Sequence, residues 1–127
     1  MGGTGSSRLV REGSRGWLNL RMEVQTQVLE GDAGVLISAA GEFDVHTAER
    51  VRDALRQAEA SEPGVITIDL SQVAFMDSTG LGVLIGALNR AQERGGRIVL
   101  AGPTTRVLRL LALTGMDERF EIVDATA

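Results

Sequence analysis

Three small polar residues in succession, Asp77-Ser78-Thr79, stand where an apolar run ending in Phe75-Met76 gives way to another beginning Gly80-Leu81-Gly82-Val83. They offer one carboxylate and two hydroxyls. A serine nucleophile of the hydrolase kind needs a general base within reach, and His46 is the sole histidine of the chain. Ser78 also lacks the Gly-x-Ser-x-Gly elbow, being set in Asp-Ser-Thr-Gly. An aspartic-protease dyad calls for Asp-Ser-Gly or Asp-Thr-Gly without the additional residue. His46 reads as a surface or helix-start residue, and the chain is not expected to be an enzyme.

Composition removes further chemistries. There is no cysteine, and all 13 basic residues are arginine. Disulfides, thiolate metal sites and cysteine nucleophiles are thereby excluded, as are Schiff-base chemistry and the lysine of a phosphate-binding P-loop. No cofactor or metal is expected. At 127 residues, 43% hydrophobic and 24% charged, the chain has the profile of one soluble globular domain. The net charge of −4 argues against nucleic acid as a partner. Nothing approaches 18 consecutive apolar residues, and the N-terminus lacks the continuous apolar core of a signal peptide. The expectation is a cytoplasmic protein without membrane contact.

The elements that position Asp77-Ser78-Thr79 follow from periodicity. Val24–Leu29 and Val35–Ala40 read as strands joined by the turn Glu30-Gly31-Asp32-Ala33-Gly34, a hairpin. Asp44 to Thr47 supplies helix-start residues, and Ala48, Val51, Leu55 and Ala58 recur at helical spacing until Glu62-Pro63-Gly64. Val65–Leu70 is a β-branched strand. A helix over 79–94 then places Leu81, Leu84, Ile85, Leu88 and Ala91 on one stripe and stops at Gly95-Gly96. Arg97–Ala101 reads as a buried strand. Gly102-Pro103-Thr104 opens a third helix with Val107, Leu108, Leu110 and Leu111 inward, and Gly115 ends it. Phe120–Val123 is a short last strand. The order β-β-α-β-α-β-α-β with short connections predicts an α/β fold, a mixed sheet whose later strands are parallel and whose helices cover one face.

Residues 1–21 stand apart. Gly2-Gly3-Thr4-Gly5-Ser6-Ser7 is linker-like, and Arg8, Arg11, Arg15 and Arg21 against Glu12 make the segment +3 while the remainder is −7. A flexible basic extension over 1–21 and a domain over 22–127 are expected, with Trp17, Leu18 and Leu20 as the extension's only anchors.

In this frame Asp77-Ser78-Thr79 lies at a helix N-terminus. The ordinary reading is capping, because Asp, Ser and Thr accept hydrogen bonds from N–H groups that a helix start leaves open. A second use needs few parts: a helix N-terminus tolerates phosphate, through free N–H groups and the positive end of the dipole. A phosphoserine there would add about −1.5 to −2 charges beside Asp77 and Asp44 and repel a docked partner. Opposite the core stripe, Gly82, Val83, Gly86 and Ala87, with Arg90 a turn further on, form a small-residue face suited either to close approach by a partner or to the protein's own neighbouring helix.

The segments Gly41-Glu42-Phe43-Asp44, His46-Thr47-Ala48, Ile68-Asp69-Leu70 and Phe75-Met76-Asp77-Ser78-Thr79-Gly80-Leu81-Gly82 together resemble the bacterial anti-sigma factor antagonists of the STAS domain family. The likeness continues through Gly95 to Leu100, Pro103, Val107 to Leu111 and Gly115, spanning about residues 22 to 125 in the family's order and spacing. It implies a mixed sheet with helices on one side and a non-enzymatic regulator that binds an anti-sigma factor and frees a sigma factor. It further implies that the anti-sigma factor, a serine kinase using ATP and Mg²⁺, phosphorylates Ser78, or less favourably Thr79, breaking the complex. A phosphoserine phosphatase restores the binding form. Asp44 and Thr47 match positions beside the modified serine and are expected to share the contact surface with Asp77, Ser78, Thr79, Gly82, Val83, Gly86 and Arg90. The competing expectation is a STAS scaffold or sensory module of a larger stress-signalling assembly, or one that binds a nucleotide.

Overall fold

The computed structural model describes residues 22–125; the basic segment 1–21, expected to be a separate extension, lies outside the described residues, as do the last two. The described strands are β1 (Met22–Val28), β2 (Val35–Phe43), β3 (Val65–Met76), β4 (Arg97–Ala101) and β5 (Glu121–Val123). The helices are α1 (Ala48–Glu59), α2 (Ser78–Glu93) and α3 (Thr105–Leu113). The strands lie in the sheet in chain order, β1 antiparallel to β2 and every later pair parallel. A one-turn helix at Gly31–Ala33 closes the hairpin, with Leu29 N–H donating to Gly34 O at 2.8 Å.

Each parallel strand is reached by a helical crossover that steps one place further in the same direction. Right-handed crossovers of this kind put every helix on the same side of the sheet. Burial agrees with that placement. Val35, Ile37 and Ala39 of β2, Ile66, Ile68 and Leu70 of β3, and Ile98 and Leu100 of β4 share one core with Val51 and Leu55 of α1, Leu84 and Leu88 of α2, and Val107 and Leu111 of α3. The alternate residues Leu36, Ser38, Ala40, Thr67 and Asp69 take the other face, where they are half-buried.

Two strands run further than their periodicity predicts. β3 extends six residues beyond Leu70 and β2 three beyond Ala40, pairing as Ala40↔Gln72, Gly41↔Val73, Glu42↔Phe75 and Phe43↔Met76. Register shifts interrupt this stretch at Ser38/Ala40 and Gly41/Glu42, and Gly41 takes φ +125°, which side-chain-bearing residues rarely adopt. A bulge breaks the two-residue alternation, so the polar Ser71-Gln72 looks like a strand end in the sequence. Instead, the Asp69 carboxylate accepts from Ser71 N–H at 2.9 Å and from its hydroxyl at 2.7 Å, holding the bulge in shape.

At the opposite edge, Arg97 of β4 forks onto the Glu121 carboxylate of β5 at 2.6 and 3.1 Å. Hydrogen bonding and attraction to Glu121 raise the guanidinium pKa, although both groups are solvated. In α3, Val107 and Leu111 are buried as expected, whereas Leu108 is exposed because the helix presents a narrower stripe than its four apolar positions suggested.

Candidate functional site at the carboxyl ends of β2 and β3

The extension of β2 and β3 carries both strands to a common end. Phe43 and Met76 are register partners, and the ladder closes with Asp77 N–H donating to Phe43 O at 3.2 Å. The chain leaves the sheet twice at this point, once into the turn Asp44–Thr47 and α1, once directly into α2.

The first exit is locked by its own side chains. Thr47 Oγ1 accepts from Asp44 N–H at 3.0 Å and donates to Glu42 O at 2.6 Å, while Asp44 Oδ1 accepts from His46 N–H at 2.9 Å. Thr47 N–H and Ala48 N–H donate back to Asp44 O at 3.1 and 2.9 Å. These bonds draw both side chains inward, leaving Asp44 7% and Thr47 5% exposed. Both side chains thus frame the turn from within, beside the rim expected to form the contact surface. What the turn presents outward is His46 and the apolar Val45, 63% exposed.

The second exit has the capped geometry that its residue types predict. Asp77 is extended, and its Oδ1 accepts from Thr79 N–H at 2.9 Å and Gly80 N–H at 3.2 Å. Ser78, the first residue of α2, is exposed, while Thr79 is half-buried and Gly80 buried. Gly80 owes its identity to close packing. A Cβ there would lie 2.8 Å from Phe43 O, 2.9 Å from Phe43 Cγ and 3.0 Å from Met76 Cγ, so α2 rests against the ends of both strands only because the side chain is missing.

The small-residue face divides between the two uses left open for it. Val83 is 6% exposed and Ala87 fully buried, because α2 packs against α1 as well as against the sheet. Its apolar surface is thus wider than one stripe. The outward face runs through Ser78, Gly82, Gly86 and Asn89, with Ile85 half-buried at its margin and packed against the core. Gly82 has open space around it, and Gly86 meets only the end of Arg90 at 3.3 Å, so neither glycine is required by internal packing. Arg90 is engaged: Nε and Nη2 donate to the two carboxylate oxygens of Glu59 at 2.8 and 2.9 Å, tying α2 to α1.

Of the positions singled out in the sequence, the fold brings Asp44, Thr47, Asp77, Ser78 and Thr79 together at the paired strand ends. Gly82 and Gly86 continue outward along α2, and Val83 and Arg90 serve the protein's own packing. Gly80, the apolar rim residues Val45 and Phe75, and Glu59 as the partner of Arg90 escaped sequence reasoning. An exposed apolar residue beside a strand end reads in sequence like a strand residue, and an ion pair spanning 31 positions has no local signature. Among the described residues no group of three or more histidine, cysteine, aspartate or glutamate side chains is placed to hold a metal ion. No described helix is long and apolar enough to cross a membrane.

Comparison with known proteins fits this geometry. The STAS domain model matches residues 21–127. The anti-sigma-B factor antagonist of Listeria monocytogenes is 39% identical over 102 residues, covering 80% of this chain and 90% of that protein. The solved structure of the anti-sigma factor antagonist SpoIIAA in its unphosphorylated form superposes with a TM-score of 0.69 at 26% identity, over 82% of this chain and 89% of that one. The Bacillus cell fate determinant SpoIIAA in the phosphorylated form gives 0.65 at 25% identity, over 82% and 92%. A five-stranded sheet with one antiparallel pair, three helices behind it, and a family match across the whole described chain place this protein in one lineage: it belongs to the STAS domain family.

Proposed function

We propose that this protein is an anti-sigma factor antagonist, acting in the cytoplasm, whose unphosphorylated form binds an anti-sigma factor and is released when that factor, as a serine kinase, phosphorylates Ser78. The observation that carries this reading is the exposed Ser78 side chain at the first turn of α2, on a rim framed by buried and capped neighbours. Support comes also from relatives named as anti-sigma-B factor antagonists and from a fold shared with a protein solved in both unphosphorylated and phosphorylated forms. Thr79, half-buried and one residue inward, is less accessible to a kinase.

In the transfer, Ser78 Oγ forms a bond to the γ-phosphorus of Mg²⁺-bound ATP while the bond from that phosphorus to the bridging oxygen breaks, releasing ADP; the hydroxyl proton passes to a base of the kinase. The product gains about −1.5 to −2 charges. The dipole of α2 favours this charge by roughly 0.3 to 1 kcal/mol. Asp77 opposes it, since its carboxylate already occupies two of the N–H groups at the helix start. The phosphate is thus directed outward, over the path by which a partner reaches Gly82 and Gly86. Val45 and Phe75 supply apolar contact beside it. A phosphoserine phosphatase hydrolyses the ester and restores the binding form.

The test pairs two substitutions with one mass measurement. Ser78→Ala binds the cognate anti-sigma factor and is not released by ATP, whereas Ser78→Asp weakens binding by about tenfold or more, roughly 1.4 kcal/mol. Intact-mass spectrometry after incubation with the kinase finds one phosphate, retained in Thr79→Ala and lost in Ser78→Ala. Undiminished binding by Ser78→Asp together with phosphate on another residue would sink the reading.

A further inference from the structure

The two edges of the sheet differ. β5 is three residues long and carries Glu121, onto which Arg97 forks, so it is short and charged as exposed edges usually are. β1 is seven residues long, pairs with β2 without a register shift, and reads Val-Gln-Thr-Gln-Val over 24–28, with neither charge nor proline. Among the described residues no strand lies on its outer side. An edge of this kind is a template for another strand.

The hairpin fixes which backbone groups that edge offers. Leu29 N–H donates to Gly34 O, and antiparallel pairing alternates, so Gln27 and Gln25 turn their N–H and C=O toward β2 while Val24, Thr26 and Val28 turn theirs outward. The same three residues share one face of the strand. Val24 and Thr26 line a groove of about 340 Å³ against Arg50, Asp53, Ala54 and Gln57 of α1, and Val28, next along that face, is 77% exposed. Open hydrogen-bonding groups, a groove and a protruding apolar side chain thus belong to one set of residues, spaced evenly about Thr26.

We propose that β1 pairs with β1 of a second copy of this chain, antiparallel about a two-fold axis at Thr26. This register sets Thr26 against Thr26 of the partner subunit and Val24 against Val28 of the partner subunit, each pair exchanging two N–H···O bonds. Each exposed Val28 then enters the groove beside Val24 of the other copy, which makes the surface self-complementary, as a two-fold interface requires. The β-branched cross-strand pairs add to the joint. Neither Glu23 nor Glu30 meets a like charge, since they face Leu29 and Met22 of the partner subunit. A shift of two residues either way sets Val24 against Thr26 or Glu30 instead and leaves the groove without its apolar occupant. An extended segment of another protein would meet the same open groups, but it has no reason to match the even spacing of Val24 and Val28 about Thr26. The proposal does not rest on Ser78, which lies beyond the ends of β2 and β3 and not on this edge.

Sedimentation equilibrium of the full chain is expected to show twice the chain mass at millimolar concentration, falling toward a single mass on dilution. Thr26→Arg and Thr26→Glu each place like charges on the axis and are expected to sediment as single chains, whereas an equimolar mixture of the two recovers the doubled mass. Thr26 is exposed and its N–H is turned away from β2, so both variants are expected to melt where the dilute parent does. Hydrogen exchange reads the register. The amides of Gln25 and Gln27 are expected to be protected at every concentration, and those of Val24, Thr26 and Val28 only as copies associate. A single mass at millimolar concentration, or a doubled mass that Thr26→Arg and Thr26→Glu both leave intact, overturns the proposal. So does protection of Val24, Thr26 and Val28 that dilution leaves unchanged, which assigns the edge to another segment of the same chain.

Discussion

Asp77 does two jobs with one carboxylate: it caps α2 through Thr79 N–H and Gly80 N–H, and it sets the local charge beside Ser78. Asp77→Asn separates them, because the amide oxygen still accepts while the charge is gone. Thermal or urea unfolding is expected to place Asp77→Ala about 1 kcal/mol below the parent and Asp77→Asn close to it. The residue types at this position announce a cap in the sequence, and the cap is there. Exposure is another matter: nothing in Asp-Ser-Thr says that Ser78 faces out and Thr79 partly in. That follows from the first turn of α2 meeting the end of β2.

For the elements, the contact between α2 and the strand ends rests on a missing side chain. Gly80→Ala is expected to cost about 1 to 3 kcal/mol in urea unfolding, since the new methyl meets the Phe43 backbone and ring. Gly82→Ala is expected to do the reverse. With open space around it and a helical backbone, the change stabilises by about 0.5 to 1 kcal/mol, and under the proposed function it nevertheless weakens binding of the anti-sigma factor. A variant that is more stable and binds less well distinguishes a surface kept small for a partner from one kept small for packing. Between α1 and α2, the fork of Arg90 onto Glu59 is half-buried and bidentate. Arg90→Lys keeps the charge and loses the fork, so it is expected to recover little of the roughly 1 to 2 kcal/mol lost in Arg90→Ala.

At the level of the whole molecule, the site sits where two strands end together, outside the single core that holds the sheet to its helices. Under the proposed function, phosphorylation of Ser78 is therefore expected to alter a rim and leave the core packing in place. The melting temperature of the phosphorylated chain is expected to move by only a few degrees, as an effect of about 1 kcal/mol in a domain this size requires. Amide shift changes are expected to cluster at Asp44–Thr47 and Asp77–Gly82. A global loss of dispersion on phosphorylation would mean that the switch works by unfolding, not by surface charge.

The order of strands and helices, the cap at Asp77 and the glycine stop at Gly115 were legible in the chain, because periodicity and capping are local properties. The ends of β2 and β3 were not, since a bulge at Gly41 changes the alternation that marks a strand, and its cause is the neighbouring strand's register. Nor was the assignment of Val83 to the interior and Ile85 to the margin of the core. That choice depends on the direction from which α1 approaches α2, a relation between segments some 30 positions apart that only the folded chain contains.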